Sequence, residues 1–314
     1  MSTQNSSSPI NKLRDSIEAR DRILVLGSSG WFGQTLASML VGCQTEVLYV
    51  TSQTKVVGVG KTAVKMLSYD FKTISDFRPS VVIDFAFLTR EKVAEFGLDR
   101  YRAVNDELTH QLLKVAALDS VERVLVTSSG AAAYPSNRGS IEYEADPYGF
   151  LKARMEIELE NFAKQSGKTV VCLRPWSVSG VFVTRPLEYA FSSIILQAMQ
   201  GRVIVESRSP VLRRYCAMDD LIALGFLELR DTSPGSFWVL ESGGELIDLI
   251  SLSERVVGLL ANNASIFHLV DPAAKPDLYY SDNQSWTDAC IRHAYTAKDL
   301  NTQISEMISY FNKD

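Results

Sequence analysis

The sequence is poor in residues that bind metals and form disulfides. Its 314 residues include three histidines and four cysteines. The histidines are far apart and lack the spacing of metal ligands, so we expect no histidine-based metal site. The cysteines form no CxxC pair, and Cys43 and Cys172 lie in or beside apolar segments. This pattern is typical of buried free thiols in a reducing compartment.

Long apolar runs and dense basic runs are also missing. No stretch is long and apolar enough to span a bilayer. The formal net charge is −5, and no lysine and arginine cluster offsets it, so neither a nucleic-acid partner nor a membrane partner is expected. Residues 1–20 are polar and lack the apolar core of a secretory signal. They predict a flexible tail and a cytoplasmic protein.

The rest of the chain alternates short apolar runs with amphipathic segments. Apolar residues make up 46% of the sequence and charged residues 22%, an ordinary globular composition. Several predicted strands are apolar throughout, which favours an α/β fold with a parallel sheet covered on both faces. Strands are predicted near 22–26, 45–50, 64–67, 80–86, 123–126 and 169–173. Beyond residue 176 the alternation weakens, and a smaller mixed lobe is expected.

A glycine-rich turn follows the first predicted strand and opens a helix. Its glycines are Gly27, Gly30 and Gly33, in a GxxGxxG pattern that differs from the usual GxGxxG. Such a turn lets backbone N–H groups at a helix N-terminus face a pyrophosphate, so the context predicts a dinucleotide site. The alternative is a tight strand–helix connection without a ligand.

The end of the second strand indicates which dinucleotide binds. An acid there would hold the ribose 2′-hydroxyl of NAD. The sequence offers Thr51, Ser52 and Lys55 instead, which could accept a 2′-phosphate. NADP is therefore favoured over NAD, unless these are ordinary loop residues.

A tyrosine and a lysine lie one helical turn apart downstream. Asp146 and Pro147 suit the start of a helix, and Tyr148 and Lys152 share one of its faces. A free phenol has a pKa of about 10, which a neighbouring ammonium lowers, so Tyr148 is a candidate proton donor. Ser129, at the end of another predicted strand, would orient a substrate oxygen, with Ser128 as its rival. Without the glycine turn, a surface pair of tyrosine and lysine would be the simpler interpretation.

In these residues the chain resembles the extended short-chain dehydrogenase/reductase family, specifically its nucleotide-sugar epimerases, dehydratases and ketoreductases. The resemblance runs from Ile23 to at least Leu221. It implies a Rossmann-type doubly wound sheet at 21–175 that binds NADP or NAD. It also implies a substrate lobe at 176–314, with segments near 214–240 returning to the first domain. A homodimer that uses the helices of Asn105 and Tyr148 is implied as well.

The resemblance also assigns site residues. The implied catalytic residues are Tyr148, Lys152 and Ser129 or Ser128. The implied cofactor residues are Gly27, Ser29, Gly30, Trp31, Phe32, Gly33, Thr51, Ser52, Lys55, Asp70, Phe71, Ala86, Asn105, Thr127, Tyr148, Lys152, Pro175, Ser177 and Val178. The implied substrate residues are Thr89, Ser129, Ser177 and Arg213. For Asn105 and Asp70 the alternative is a structural role in capping or turns, and for Arg213 it is a solvated charge.

Departures from the family narrow the expected reaction. Gly130 and Ala131 follow Ser129 where the dehydratases carry Asp-Glu, so the acid/base pair for water elimination is missing. We therefore expect reduction of a nucleotide-linked 4-keto-sugar by NADPH. A 4-epimerase that holds NAD is the alternative, and a non-catalytic cofactor-binding protein is a second one.

Overall fold

The computed structural model describes residues 8–133 and 142–313, which fall into two compact units. Unit 1 comprises the chain up to Pro175 together with Ile222–Leu240, and unit 2 comprises Trp176–Leu221 and Glu241–Asp314. The strands are β1 (Arg22–Leu26), β2 (Glu46–Thr51), β3 (Lys55–Val59), β4 (Thr62–Ser68), β5 (Val81–Asp84), β6 (Arg123–Thr127), β7 (Thr169–Arg174), β8 (Ser177–Ser179), β9 (Arg202–Val205), β10 (Val211–Ala217), β11 (Phe237–Glu241), β12 (Glu245–Asp248), β13 (Ser265–His268) and β14 (Asp277–Tyr279).

Most helices of unit 1 follow the alternation that the sequence predicts, but Pro9–Ser16, predicted as part of a flexible tail, form a helix whose Leu13 is buried. The helices are α1 (Pro9–Ser16), α2 (Trp31–Leu40), α3 (Phe71–Phe77), α4 (Lys92–Phe96), α5 (Leu98–Ala116), α6 (Pro147–Ser166), α7 (Ala190–Met199), α8 (Met218–Asp231), α9 (Leu249–Leu260), α10 (Gln284–Arg292) and α11 (Leu300–Phe311). Short 3-10 turns occupy Gly130–Ala132 and Pro186–Glu188.

Unit 1 is built on an eight-stranded, mostly parallel sheet. Its strand order is β11-β7-β6-β5-β1-β2-β4-β3. The central strands are apolar and buried because helices cover the sheet, and Leu24, Val82, Val124 and Val170 stand in register across it. Strand order reverses between β1 and β5. The carboxyl ends of parallel strands at such a reversal are where α/β sheets bind ligands.

One layer of the core holds α5 and α6 against this sheet. Leu112 and Val115 of α5 and Met155 and Leu159 of α6 are buried in one cluster with the strand residues. These positions recur at helical spacing, so burial of one face fixes the orientation of each helix. The N-terminus of α6 is thereby held near the carboxyl end of the sheet.

The sequence predicted β4 but not β3, so it missed the hairpin that the two strands form. The two strands pair antiparallel from Lys55 and Met66 to Val59 and Thr62, around Gly60 at φ 59°. The alternative that Lys55 is an ordinary loop residue is wrong, since Lys55 begins a strand of the hairpin, and its contact with the cofactor stays a prediction. Cys43, expected to be buried, is half-buried, whereas Cys172 is buried as expected.

Unit 2 has its own small sheets. β10 pairs with β12, β14 and β8, and β9 pairs in parallel with β13. Helix α9 packs against α7 and α11. Its buried residues include Leu252 and Val256.

Candidate active site

Close packing requires two of the three glycines in the turn after β1. Gly27 has φ 70°, and a Cβ there would lie 2.5 Å from the amide nitrogen of Ala86. A Cβ at Gly33 would lie 2.4 Å from the carbonyl oxygen of Ser28. The turn is thus pressed against the end of β5, and α2 begins against the turn itself. Gly30 is the N-cap of α2, and because it has no side chain this helix begins without a side-chain capping hydrogen bond.

A cavity of about 290 Å³ lies beside this turn at the carboxyl ends of the central strands. Six of the predicted cofactor residues line it: Gly27, Ser29, Gly30, Thr51, Ser52 and Ala86. Tyr69, Asp84, Phe87 and Gln111 also line it, and none of these four was predicted. The buried hydroxyl oxygen of Tyr69 has no hydrogen-bond partner within the described part of the chain. A polar atom of this kind in a cavity fits a ligand.

Several predicted cofactor residues have structural roles outside this cavity. Asp70 caps α3, accepting a hydrogen bond from the Thr73 amide at 2.9 Å. Asn105 is buried, and its Oδ1 accepts a bond from the Leu88 amide at 2.8 Å. These are the capping and turn roles that the sequence left open. Asn105 still acts on the cavity, because Leu88 lines it.

Other predicted cofactor residues pack around the turn and the sheet. Trp31 is buried in the first turn of α2, and the ring of Phe32 lies 5.5 Å from that of Phe85. The ammonium of Lys114 lies 4.2 Å from the centre of the Phe71 ring. The carbonyl oxygen of Pro175 accepts a bond from the Gly130 amide at 2.9 Å.

Helix α6 places Tyr148 and Lys152 beside one aromatic ring. Asp146 caps the helix by accepting a bond from the Gly149 amide at 3.0 Å, and Pro147 occupies its first turn. The rings of Tyr148 and Phe87 are 6.0 Å apart, edge to face. The ammonium of Lys152 lies 3.7 Å from the centre of the Phe87 ring. Since Phe87 lines the cavity, both predicted catalytic residues adjoin it through this ring.

The lysine is held by the end of β6. Its Nζ donates to the carbonyl oxygen of Thr127 at 2.7 Å. Lys152 is buried, and burial lowers the pKa of its ammonium, while the charge of Asp84 opposes that shift. Burial also raises the pKa of Asp84. Asp84 was missed in the sequence, although a carboxylate ending the apolar run Val81–Ile83 was a visible signal.

The two candidate serines follow β6 directly. Ser129 is buried, and its hydroxyl accepts a bond from the Ala131 amide at 3.2 Å, opening the turn Gly130–Ala132. Helix α6 fits closely on this turn, since a Cβ at Gly149 would lie 2.8 Å from the carbonyl oxygen of Ala131. The buried hydroxyl of Ser128 has no hydrogen-bond partner among the residues described. Both serines therefore remain candidates for orienting a substrate.

A cation lies over the candidate catalytic tyrosine. The guanidinium of Arg90 is 5.6 Å from the centre of the Tyr148 ring and 3.3 Å from an Asp146 oxygen. Thr89, a predicted substrate residue, is half-buried beside it and donates its hydroxyl to Glu91. No sequence pattern pointed to Arg90, because its place depends on the chain path after β5.

Unit 2 contains the remaining predicted residues and a cavity of its own. Ser177 and Val178 lie in β8, and Val178 stands opposite Cys216 of β10. Arg213 of β10 pairs with Asp277 of β14 at 2.7 Å. A cavity of about 280 Å³ lies beside the start of β10 and beside Asp248, the N-cap of α9. Its lining includes Val205, Val211 and Leu249.

No metal-ligand cluster and no membrane-spanning segment emerges from the described ranges. No three histidine, cysteine, aspartate or glutamate side chains in 8–133 and 142–313 are grouped as metal ligands. In the same ranges every helix is too short or too polar to cross a bilayer.

Comparison with known proteins identifies the family. The model of the NAD dependent epimerase/dehydratase family matches residues 23–236. The chain therefore belongs to this family and is an enzyme of the short-chain dehydrogenase/reductase type, as its resemblance implied. No curated protein sequence matches it significantly.

Solved structures share the fold at low sequence identity. An epimerase of Methanothermobacter thermautotrophicus superposes with a TM-score of 0.75 at 17% identity, covering 99% of this chain and 97% of its own. The UDP-glucose 4-epimerase of Thermus thermophilus, in complex with NAD, gives 0.69 at 18%, covering 93% and 99%. A double mutant of the dTDP-glucose 4,6-dehydratase of Streptomyces venezuelae, with NAD and DAU bound, gives 0.71 at 16%, covering 93% and 97%. The predicted Rossmann-type α/β fold is confirmed.

Proposed function

We propose that the protein transfers hydride at a carbon of a nucleotide-linked sugar, with Tyr148 as the proton donor and acceptor. One observation carries this proposal. Tyr148 and Lys152 share a face of α6 and flank Phe87, which lines the cavity beside the glycine turn. A phenol and an ammonium at the carboxyl end of a doubly wound sheet can exchange a proton with a substrate oxygen.

The cavity in unit 1 fits a dinucleotide. The tight turn at Gly27 and the N-terminus of α2 would hold the pyrophosphate, because backbone N–H groups and the helix dipole favour an anion there. The hydroxyl of Tyr69, which lacks a hydrogen-bond partner among the described residues, and the amide of Gln111 would bind the remaining polar groups. The nicotinamide, when bound, supplies the site that gives or takes the hydride.

Residues of this chain would carry out the proton transfer. In the reductive direction Tyr148 donates its proton to the carbonyl oxygen, and in the oxidative direction it takes the proton from the alcohol. The ammonium of Lys152 stabilises the resulting phenolate. Ser129 or Ser128 would fix the substrate oxygen in position, which confines the reaction to one carbon.

C4 epimerisation is the first candidate reaction. The family that the chain belongs to is named for NAD dependent epimerases, and the Thermus thermophilus neighbour is named a UDP-glucose 4-epimerase bound to NAD. The missing Asp-Glu pair after Ser129 argues against water elimination. In epimerisation Tyr148 takes the proton of the C4 hydroxyl and returns it to the same oxygen, while the hydride lost from C4 to a bound nicotinamide would return to the opposite face of that carbon.

Reduction of a 4-keto-sugar with NADPH, which the sequence favoured, is the second candidate. The hydroxyls of Thr51 and Ser52 at the end of β2 favour it, since no carboxylate stands among the lining residues at that position. Two facts weaken it. Lys55 belongs to the hairpin, and Thr51 already shares a hydrogen bond of 2.7 Å with Ser29.

We further propose that unit 1 binds the cofactor and that unit 2 binds the nucleotide part of the substrate. The cavity in unit 2 is apolar on most of its wall, which suits a base. Arg213 would meet the diphosphate, because a guanidinium can bind phosphate oxygens in a fork. Asp277 would have to release this arginine first.

A panel of nucleoside diphosphate sugars and their 4-keto derivatives, assayed with NADH and NADPH, tests the reaction. An epimerase purifies with bound NAD and interconverts two sugars without net redox change. A reductase consumes reduced cofactor in proportion to product. If Tyr148→Phe leaves every detected activity unchanged, the site is not catalytic, and a non-catalytic cofactor-binding protein becomes the better assignment.

A homodimer formed through α5 and α6 and a cytoplasmic location remain proposals. Ile157 of α6 is 60% exposed and would lie in the contact with a second copy. Light scattering coupled to size exclusion at micromolar concentration should give twice the chain mass, and the mass of one chain would reject the dimer.

A further inference from the structure

The carboxylate of Asp84 lies buried at the carboxyl end of β5. Its side chain stands in the strand that pairs with both β1 and β6, opposite Leu26 and Val126. Only 3% of the residue is exposed, and Oδ1 accepts a hydrogen bond from the Ala86 amide at 2.9 Å. A buried carboxylate is costly unless a partner compensates its charge, and no arginine pairs with it among the described residues.

The ammonium of Lys152 lies among the neighbours of Asp84. It donates to Thr127, the residue after the strand partner of Asp84, and it contacts Phe87, three residues further along from Asp84. Lys152 is 2% exposed, so its charge is as costly as that of the carboxylate. The two opposite charges share one buried region at the wall of the cavity.

The other titratable groups that face Lys152 do not supply its counter-charge. Glu156, one turn further along α6, binds Arg174 through both carboxylate oxygens, at 2.8 and 2.5 Å. Cys172 of β7 is buried, and burial raises the pKa of its thiol, which keeps it neutral. Among the described acidic side chains that face Lys152, Asp84 is therefore the one whose charge is not already matched by an arginine.

We propose that Asp84 is a positioning residue that keeps Lys152 protonated within the apolar wall of the site. The proposal rests on the role proposed above for Lys152. Burial favours the neutral amine, and a nearby opposite charge favours the ammonium. Without the carboxylate, the lysine would lose its proton at lower pH, and Tyr148 would lose the cation that stabilises its phenolate.

The direct test is the titration of Lys152 in the cofactor-free protein, followed by NMR of 13C-labelled lysine side chains. The Lys152 signal is identified by its loss in Lys152→Arg. Asp84→Asn keeps an oxygen for the Ala86 amide and removes the charge, and it should lower the pKa of Lys152 by about one unit. Asp220→Asn, which removes another fully buried carboxylate in unit 2, should leave that titration unchanged.

The converse variant covers the case in which Asp84→Asn does not fold. Coupling between two titrating groups is reciprocal, so Lys152→Met should raise the pKa of Asp84 by a similar amount, read from labelled aspartate carboxyls. An unchanged pKa of Lys152 in Asp84→Asn, or an unchanged pKa of Asp84 in Lys152→Met, would overturn the proposal.

Activity supplies an independent readout. In folded Asp84→Asn the alkaline limb of the pH–rate profile should move to lower pH by the shift measured for the lysine, whereas a purely structural defect would lower the rate at all pH values alike. If Tyr148→Phe were fully active while the lysine titration still shifted, the proposed reaction would fail and the coupling would stand.

Discussion

Among single residues, the glycines of the turn differ in whether they leave room for an added Cβ atom. A Cβ at Gly33 meets backbone at 2.4 Å, whereas a Cβ at Gly30 has its nearest neighbour at 3.5 Å. Gly33→Ala should lower the free energy of unfolding by about 1–3 kcal/mol, the usual cost of overpacking. Gly30→Ala should change it by less than about 0.5 kcal/mol. Urea unfolding of both variants makes the comparison, and equal losses would contradict the packing described for the turn.

The residues of the site were predictable where backbone geometry determines them. The strand–turn–helix order predicted Gly27 and Gly30 as cofactor residues. The spacing of one helical turn predicted that Tyr148 and Lys152 share a face of α6. Asp70 and Asn105 were ambiguous, because short polar side chains that cap a helix or hold a loop look the same in sequence as those that bind a ligand. Phe87 and Arg90 carried no signal, since their places depend on the path of the chain after β5.

At the scale of elements, the cap of α3 separates a structural role from a cofactor role for Asp70. Its carboxylate accepts bonds from the Thr73 amide and hydroxyl at 2.9 and 2.6 Å. Asp70→Ala should cost about 1 kcal/mol of stability, and Asp70→Asn should restore most of it, because both aspartate and asparagine are good N-caps. Affinity for NAD, measured by titration calorimetry, should be unchanged in Asp70→Asn. A large loss of affinity would return Asp70 to the cofactor site.

The elements of unit 1 were more predictable than those of unit 2. The buried parallel strands are continuous apolar runs, such as Val81–Ile83, so they stand out in the sequence. β3 faces solvent in part, and most strands of unit 2 have only three or four residues. The unit 2 strands β8, β12 and β14 pair with β10 from distant parts of the chain, which local patterns do not reveal.

At the scale of the whole molecule, a buried acid makes stability depend on pH. Burial, and then the charge of Asp219, raises the pKa of Asp220 to about 7. The hydroxyl of Tyr295 and the amide of Lys298 donate to its carboxyl group at 2.7 and 2.8 Å. Between its ordinary value of about 4 and this raised value, the folded state binds more protons than the unfolded state. The free energy of unfolding therefore falls as pH rises through that window and is fully reduced above it.

The expected size of this effect is measurable. Between about pH 5 and pH 8 the contribution of Asp220 should fall by about 2–3 kcal/mol, from 1.36 kcal/mol per pKa unit. Asp220→Asn should remove this contribution to the pH dependence of the free energy of unfolding. The contributions of other titrating groups, including Asp84, should remain. Urea unfolding of both proteins at the two pH values measures the difference. A variant with the same slope as the natural protein would show that Asp220 does not titrate in this range.

In the proposed reaction Tyr148 moves a proton while hydride moves beside it. This role is tested by the near-ultraviolet absorbance of reduced nicotinamide in a single turnover, after a reactive nucleotide sugar is mixed with cofactor-loaded protein. Tyr148→Phe should bind cofactor with unchanged affinity and slow the absorbance change by about 10²–10⁴-fold. An absorbance change that proceeds at the same rate in Tyr148→Phe would contradict the role of Tyr148 in proton transfer.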